Sequence, residues 1–185
     1  MKDFKRENLS FSLCGLNCRL CPMFLYHYCP GCGGGEGNQA CGVARCSLQH
    51  GRVEYCHLCG EFPCERYDRI DEYDSFITHR NRRKDMERFQ KIGAEAYHSE
   101  QVQKAEILSF LLENYNDGRR KSFFCLSVNL LELEDIKDVM RRLTEAEGPD
   151  VRGLKQKAVQ AAELFQDMAE QRNLVLKLNK KPKGR

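Results

Sequence analysis

No stretch of ~18 consecutive apolar residues occurs in this 185-residue chain, so no membrane span is expected. The opening segment "MKDFKRENLS" lacks the apolar run of a secretory leader, and the chain is expected to be cytoplasmic. A strong excess of one sign of charge is also missing. The formal net charge is +3, and the excess sits in the tail "KLNKKPKGR", which carries five Lys and Arg and no acid. Without that tail the body holds 25 basic and 27 acidic residues, so it lacks the field that would gather nucleic acid. The tail itself is expected to be solvated. Aliphatic residues are scarce between residues 10 and 66, and "GCGGGEG" at 31–37 is too rich in glycine for a helix or strand interior. Such a segment buries too little apolar surface to offset its chain entropy, so it needs cross-links.

Cysteine is what the segment has instead. Ten of the eleven cysteines lie between Cys14 and Cys64. In a reducing compartment, clustered C-x-x-C pairs read as metal ligands rather than disulfides. The candidate ligands fall in four groups: Cys14, Cys18 and Cys21; Cys29 and Cys32; Cys41 and Cys46; then Cys56, Cys59 and Cys64. "CPGCG" and "CHLCG" have the form of zinc knuckles, in which a two-residue spacer lets both sulfurs reach one ion and the following glycine accepts the turn. A structural Zn²⁺ takes four ligands, so two knuckles make one site. Cys29 and Cys32 with Cys56 and Cys59 give C-x2-C-x23-C-x2-C, close to a ribbon-type site. The other six thiols would complete a second, most simply Cys14, Cys18 and Cys21 with one of Cys41, Cys46 or Cys64, although interleaved pairings fit equally well. About two zinc ions are therefore expected. His27, His50 and His57 lie among the thiols, but ten cysteines already exceed eight ligands, so supporting or surface roles are expected for them.

Other chemistries fit less well. "CGLNCRLCP" resembles the iron–sulfur loop of radical S-adenosylmethionine enzymes. That family builds a partial β/α barrel, whereas the chain after Cys64 reads as successive helices without period-two strands. Leu20 stands where the loop usually has an aromatic, and "GGE" at 34–36 comes too early to follow a second barrel strand. A dithiol redox pair needs a strand before "CPGC" and a helix after it, and neither is there. The deaminase pattern is absent too, since Tyr28 and Tyr55 rather than prolines precede the two pairs. An iron–sulfur protein with a redox role is the alternative to zinc. An open metal site with catalytic work would have Glu61 and His57 as its nearest acid–base candidates, and both read first as solvated loop residues.

From about residue 68 the apolar residues take helical spacing. Met86, Phe89, Ile92, Ala96 and Tyr97 predict a helix over roughly 76–98. Val102, Ala105, Ile107, Leu108, Leu111 and Leu112 predict a second, ending at "NYNDGRR". "KSFFCLSVNLL" is an unbroken apolar patch, taken as helix because it runs into Leu133, Ile136, Met140 and Leu143. Asn129 with Glu132 could form a capping box at that join, and Gly148 with Pro149 stops the helix. Leu154, Ala158, Ala161, Phe165 and Met168 form the last stripe. The stripes are core faces, and Cys125 reads as a buried thiol. Arg119, Arg120 and Lys121 form a basic turn without interleaved aromatics, so nucleic acid binding is not expected there.

The order of "CGLNCRLCP", "CPGC", "CGVARC", "CHLCGEFPCERY" and "MERFQKIGAEAY" resembles a bacterial and archaeal family known as domain of unknown function 3795, over about residues 13–98. The resemblance implies a cysteine-rich zinc-binding module without an established activity. The expected architecture is mostly α: an irregular cysteine-rich metal-binding module of zinc knuckles over residues 1–67, packed on a helical region of about four helices over 68–175, with a basic tail over 176–185. The expected work is binding a protein or another macromolecule, or regulation, rather than catalysis.

Overall fold

The computed structural model describes residues 3–35, 41–146 and 153–182. Among these residues the chain is mostly helical and has no strand. The helices are α1 (Pro22–Leu25), α2 (Gly42–Gln49), α3 (Arg82–Ile92), α4 (Ala94–Asn114), α5 (Lys121–Leu130), α6 (Leu133–Ala146) and α7 (Leu154–Gln171). Short 3-10 turns lie at Cys18–Leu20, Cys56–Leu58 and Glu65–Tyr67. No helix among the described residues is long and apolar enough to cross a membrane. The chain divides into two compact units, Met1–His98 with Asn179–Arg185, and Ser99–Leu178.

The first unit carries the cysteines. With few aliphatics, its core is aromatic: Phe11, Tyr55, Met86, Phe89 and Tyr97 are buried together. Phe89 is the hub, with ring centroids 5.4 Å from Phe11 and 4.6 Å from Tyr55. A smaller cluster of Phe4, Leu13 and Ala44 has the side chains of Cys32 and Cys56 packed against it. Asn17 ties the first cysteine loop to the helices. Its Nδ2 donates to Asp85 Oδ2 at 2.8 Å, and the Tyr97 hydroxyl donates to its Oδ1 at 3.1 Å. Arg6 acts as a buried clamp. It donates to the carbonyls of Glu54 (2.8 Å) and Phe11 (3.0 Å), pairs with Glu54 Oε1 at 3.1 Å, and lies over the Tyr55 ring. Residues 68–98, read from sequence with the helical region, thus share a core with the cysteine-rich segment. Part of the tail joins this unit as well. Asn179 and Asp74 exchange two hydrogen bonds of 2.7 Å, and Lys180 Nζ donates to the Ser75 carbonyl. Asn179 and Lys180 are thus hydrogen-bonded to this unit while both stay exposed.

The second unit has an aliphatic and aromatic core of its own. The apolar patch forms helix α5, and every residue from Phe124 to Leu131 is buried, which explains why it shows no polar face. Cys125 is buried within it, as expected. Helix α7 packs on both α5 and α6, and Phe165 meets Phe124 edge-on at 6.0 Å. Lys104 Nζ donates to the carbonyl of Leu131, the C-cap of α5, at 2.7 Å. Asp135 in the first turn of α6 accepts from Arg172 Nη2 at 2.6 Å and Nε at 3.0 Å.

The helix borders depart from the periodicity in three places, the first being that α3 starts at Arg82 rather than near 76. The single helix predicted over 76–98 is two, because Gly93 takes φ +85° and ends α3, and α4 then starts at Ala94 rather than near 102. Asn129 does not cap α6, since it lies inside α5. The residue before α6 is Glu132, whose carbonyl accepts the Ile136 amide at 3.1 Å. The predicted stop at Gly148 and Pro149 lies outside the described residues, as does Glu36 of "GGE".

Candidate metal centre

Backbone turns set the thiols in place. In both C-x-x-C turns that are 3-10 helical, the second cysteine's amide donates to the first one's carbonyl: Cys21 to Cys18 at 2.9 Å, and Cys59 to Cys56 at 3.0 Å. Between Cys29 and Cys32, Gly31 has φ +87° and a Cβ there would sit 2.5 Å from the Leu9 carbonyl oxygen, so the position accepts only glycine. Backbone amides also reach the sulfurs. Those of Met23 and Phe24, at the start of α1, serve Cys21, and that of Leu13 serves Cys32. Donors of this kind favour the thiolate.

The thiols gather in two neighbourhoods. In the first, Cys18 has Cys32, Cys14, Cys21 and Cys29 around it, and burial followed by repulsion from those four drives its pKa far up. Burial likewise raises Cys21 and Cys32 against their amide donors. In the second, Cys46, Cys56, Cys59 and Cys64 line one cavity of about 30 Å³, together with His50, Arg66 and Tyr67. Burial pushes Cys56 up to about 12, with Cys14, Cys64 and Cys46 adding repulsion. Cys14 adjoins both neighbourhoods, and its sulfur is 3.4 Å from Ser12 Oγ. Cys41 is exposed at the N-cap of α2 and is not part of the cavity lining.

This grouping differs from the one that knuckle spacing suggests. Cys29 and Cys32 stand with Cys18, while Cys56 and Cys59 stand with Cys46 and Cys64. The reason is α2, which places Cys46 against the second turn. Of the three histidines, His50 alone lies in a neighbourhood. Its Nδ1 is 2.9 Å from the Cys46 carbonyl and 3.5 Å from the Cys46 sulfur, and its Nε2 pairs with Glu61 at 3.4 Å. His57 stacks on Tyr55 and meets Met86 Sδ at 3.1 Å, and burial lowers its pKa. His27 is exposed. The acid–base candidates Glu61 and His57 therefore hold separate posts. Sequence reasoning missed the cations: Arg6 lies beside Cys32 and Arg66 beside Cys46. Only Arg66 left a signal, two residues after Cys64.

Among the described residues, no three His, Cys, Asp or Glu side chains are so arranged that they could hold a metal ion as they stand. The donor set itself fits zinc chemistry: thiols in C-x-x-C turns, amide donors aimed at sulfur, and a void of the size of one or two waters. Comparisons with family models, curated proteins and solved structures gave no match.

Proposed function

We propose that the cysteine-rich segment binds zinc, about two ions per chain, and that the metal is chiefly structural. The observation that carries this reading is the cavity with four cysteines in its lining. Four thiolates are a complete structural zinc set, and a void of about 30 Å³ suits a single ion better than a cluster of irons and sulfides. Bound zinc would cross-link loops that have little else to hold them, and it would contribute on the order of 10 kcal/mol of folding free energy per ion. The motif order, which resembles that of the domain of unknown function 3795 family, would point the same way. The work assigned to the folded module is binding a protein or another macromolecule, or regulation. His57 and Glu61 are engaged in stacking and in an ion pair, which supports binding over catalysis.

The iron–sulfur reading keeps one supporting observation. The neighbourhood of Cys18 has five thiols, more than one zinc takes, and includes the C-x-x-x-C-x-x-C spacing. Elemental analysis of protein purified without air, with its visible spectrum, tests the two. About two zinc ions and no visible band are expected. Iron and acid-labile sulfide in near-stoichiometric amounts, with little zinc, would overturn the zinc reading.

A further inference from the structure

Resting on the zinc reading, the division of the thiols between ions follows from which of them line one cavity. We propose that Cys46, Cys56, Cys59 and Cys64 hold one ion together, that the thiols around Cys18 hold a separate one, and that Cys41 belongs to neither. Three pieces of chain converge on the second centre: the last turns of α2 with Cys46, the 3-10 turn that presents Cys56 and Cys59, and the N-cap of the turn Glu65–Tyr67, which is Cys64. All four line the same cavity, and none of the other cysteines does. The count is complete without borrowing from the first neighbourhood, which keeps Cys18, Cys21, Cys29 and Cys32 as well as Cys14.

Charge supports the division. A zinc ion with four thiolates carries a net charge of about −2, which is costly to bury without a counter-charge. Each neighbourhood has its own guanidinium, Arg66 beside Cys46 in one and the buried Arg6 beside Cys32 in the other. Cys41, by contrast, is exposed at the N-cap of α2 and lies outside the cavity lining.

The test uses the full chain loaded with ¹¹³Cd in place of zinc, and correlates each metal resonance with cysteine β-protons. One resonance should couple to Cys46, Cys56, Cys59 and Cys64, a second should couple to Cys18 and Cys32, and Cys41 should couple to none. A resonance shared by Cys32 and Cys59, as the ribbon pairing requires, would overturn the inference, and so would coupling to Cys41. Metal counting on paired variants gives an independent readout. Cys46→Ser with Cys64→Ser should leave about one ion of two, and so should Cys18→Ser with Cys32→Ser, which cuts the first neighbourhood from five thiols to three and spares the second. Loss of both ions from the first pair would also overturn it. A wild-type chain that takes up neither zinc nor cadmium sinks the zinc reading and the partition together, while uptake with mixed couplings sinks the partition alone.

Discussion

Gly15 shows how a single residue holds the first cysteine loop. It has φ +96°, and a Cβ there would lie 2.4 Å from the carbonyl oxygen of Arg82. Backbone carbonyls cannot step aside as a flexible side chain can. Gly15→Ala should therefore cost about 2–4 kcal/mol, more than the usual glycine effect of about 1 kcal/mol, and denaturant unfolding of the metal-loaded chain would measure it. A cost below about 1 kcal/mol would mean that the loop does not depend on this approach. Another residue-scale effect is set by pH. Burial, then the nearby Arg82, pushes His79 down to about 4, with Asp74 opposing and Lys180 adding slightly. Its Nε2 meets Ser75 Oγ at 2.9 Å. The folded state thus prefers neutral His79, while the unfolded chain takes up the proton near 6.5. The stabilisation is complete above about 6.5 and is lost as pH falls toward 4. Discounted for partial exposure, the loss should be about 1–2 kcal/mol. It should appear as a difference between wild type and His79→Gln in unfolding free energies at pH 7 and 4.5, and equal slopes in the two proteins would refute it. At this scale the sequence was read unevenly. The cysteines stood out by number and spacing. Phe11 and Tyr55 did not, because isolated aromatics in irregular chain have no period to reveal that they meet Phe89.

Among the elements, the long apolar patch at 121–131 was legible as helix because its pattern continued into α6. The split at Gly93 was not, because apolar spacing runs on through both helices and only the backbone angle shows the break. Grouping of the thiols was illegible for a similar reason. Spacing says that two cysteines can share an ion, but which turns meet depends on where α2 delivers Cys46. The link between elements that is easiest to test is Asn17. It receives the Tyr97 hydroxyl and donates to Asp85, and all three side chains are buried. Asn17→Ala removes both bonds and should destabilise the first unit by about 2–4 kcal/mol, whereas Tyr97→Phe removes one and should cost about 1 kcal/mol. Chemical unfolding followed by a probe within residues 1–98 would show the ratio. If both substitutions cost the same, the Asp85 bond contributes nothing.

For the molecule as a whole, the proposed structural zinc would share the work of folding with the hydrophobic core differently in the two units. In the first, the side chains of Cys32 and Cys56 pack against the Phe4, Leu13 and Ala44 cluster, and the aromatic core spans Phe11 to Tyr97. Loosening the thiol neighbourhoods should therefore loosen α3 as well, although α3 carries no cysteine. The second unit holds its own buried set, including Leu108, Leu111, Phe124, Ile136, Val139, Leu143 and Phe165, and has Cys125 as its single thiol. Removing metal with a strong chelator should then deprotect amides across residues 3–98, α3 included, while the amides of α5, α6 and α7 keep their protection. Hydrogen exchange read by mass spectrometry, with and without chelator, resolves this along the chain. The composition alone would place the border near residue 68, where cysteine gives way to helical spacing, and the packing places it after His98. Protection that persists in α3 while residues 10–66 exchange freely would favour the earlier border. Protection that persists throughout residues 3–98 after complete removal of metal would show that the aromatic core suffices, and that zinc, where bound, is not structural.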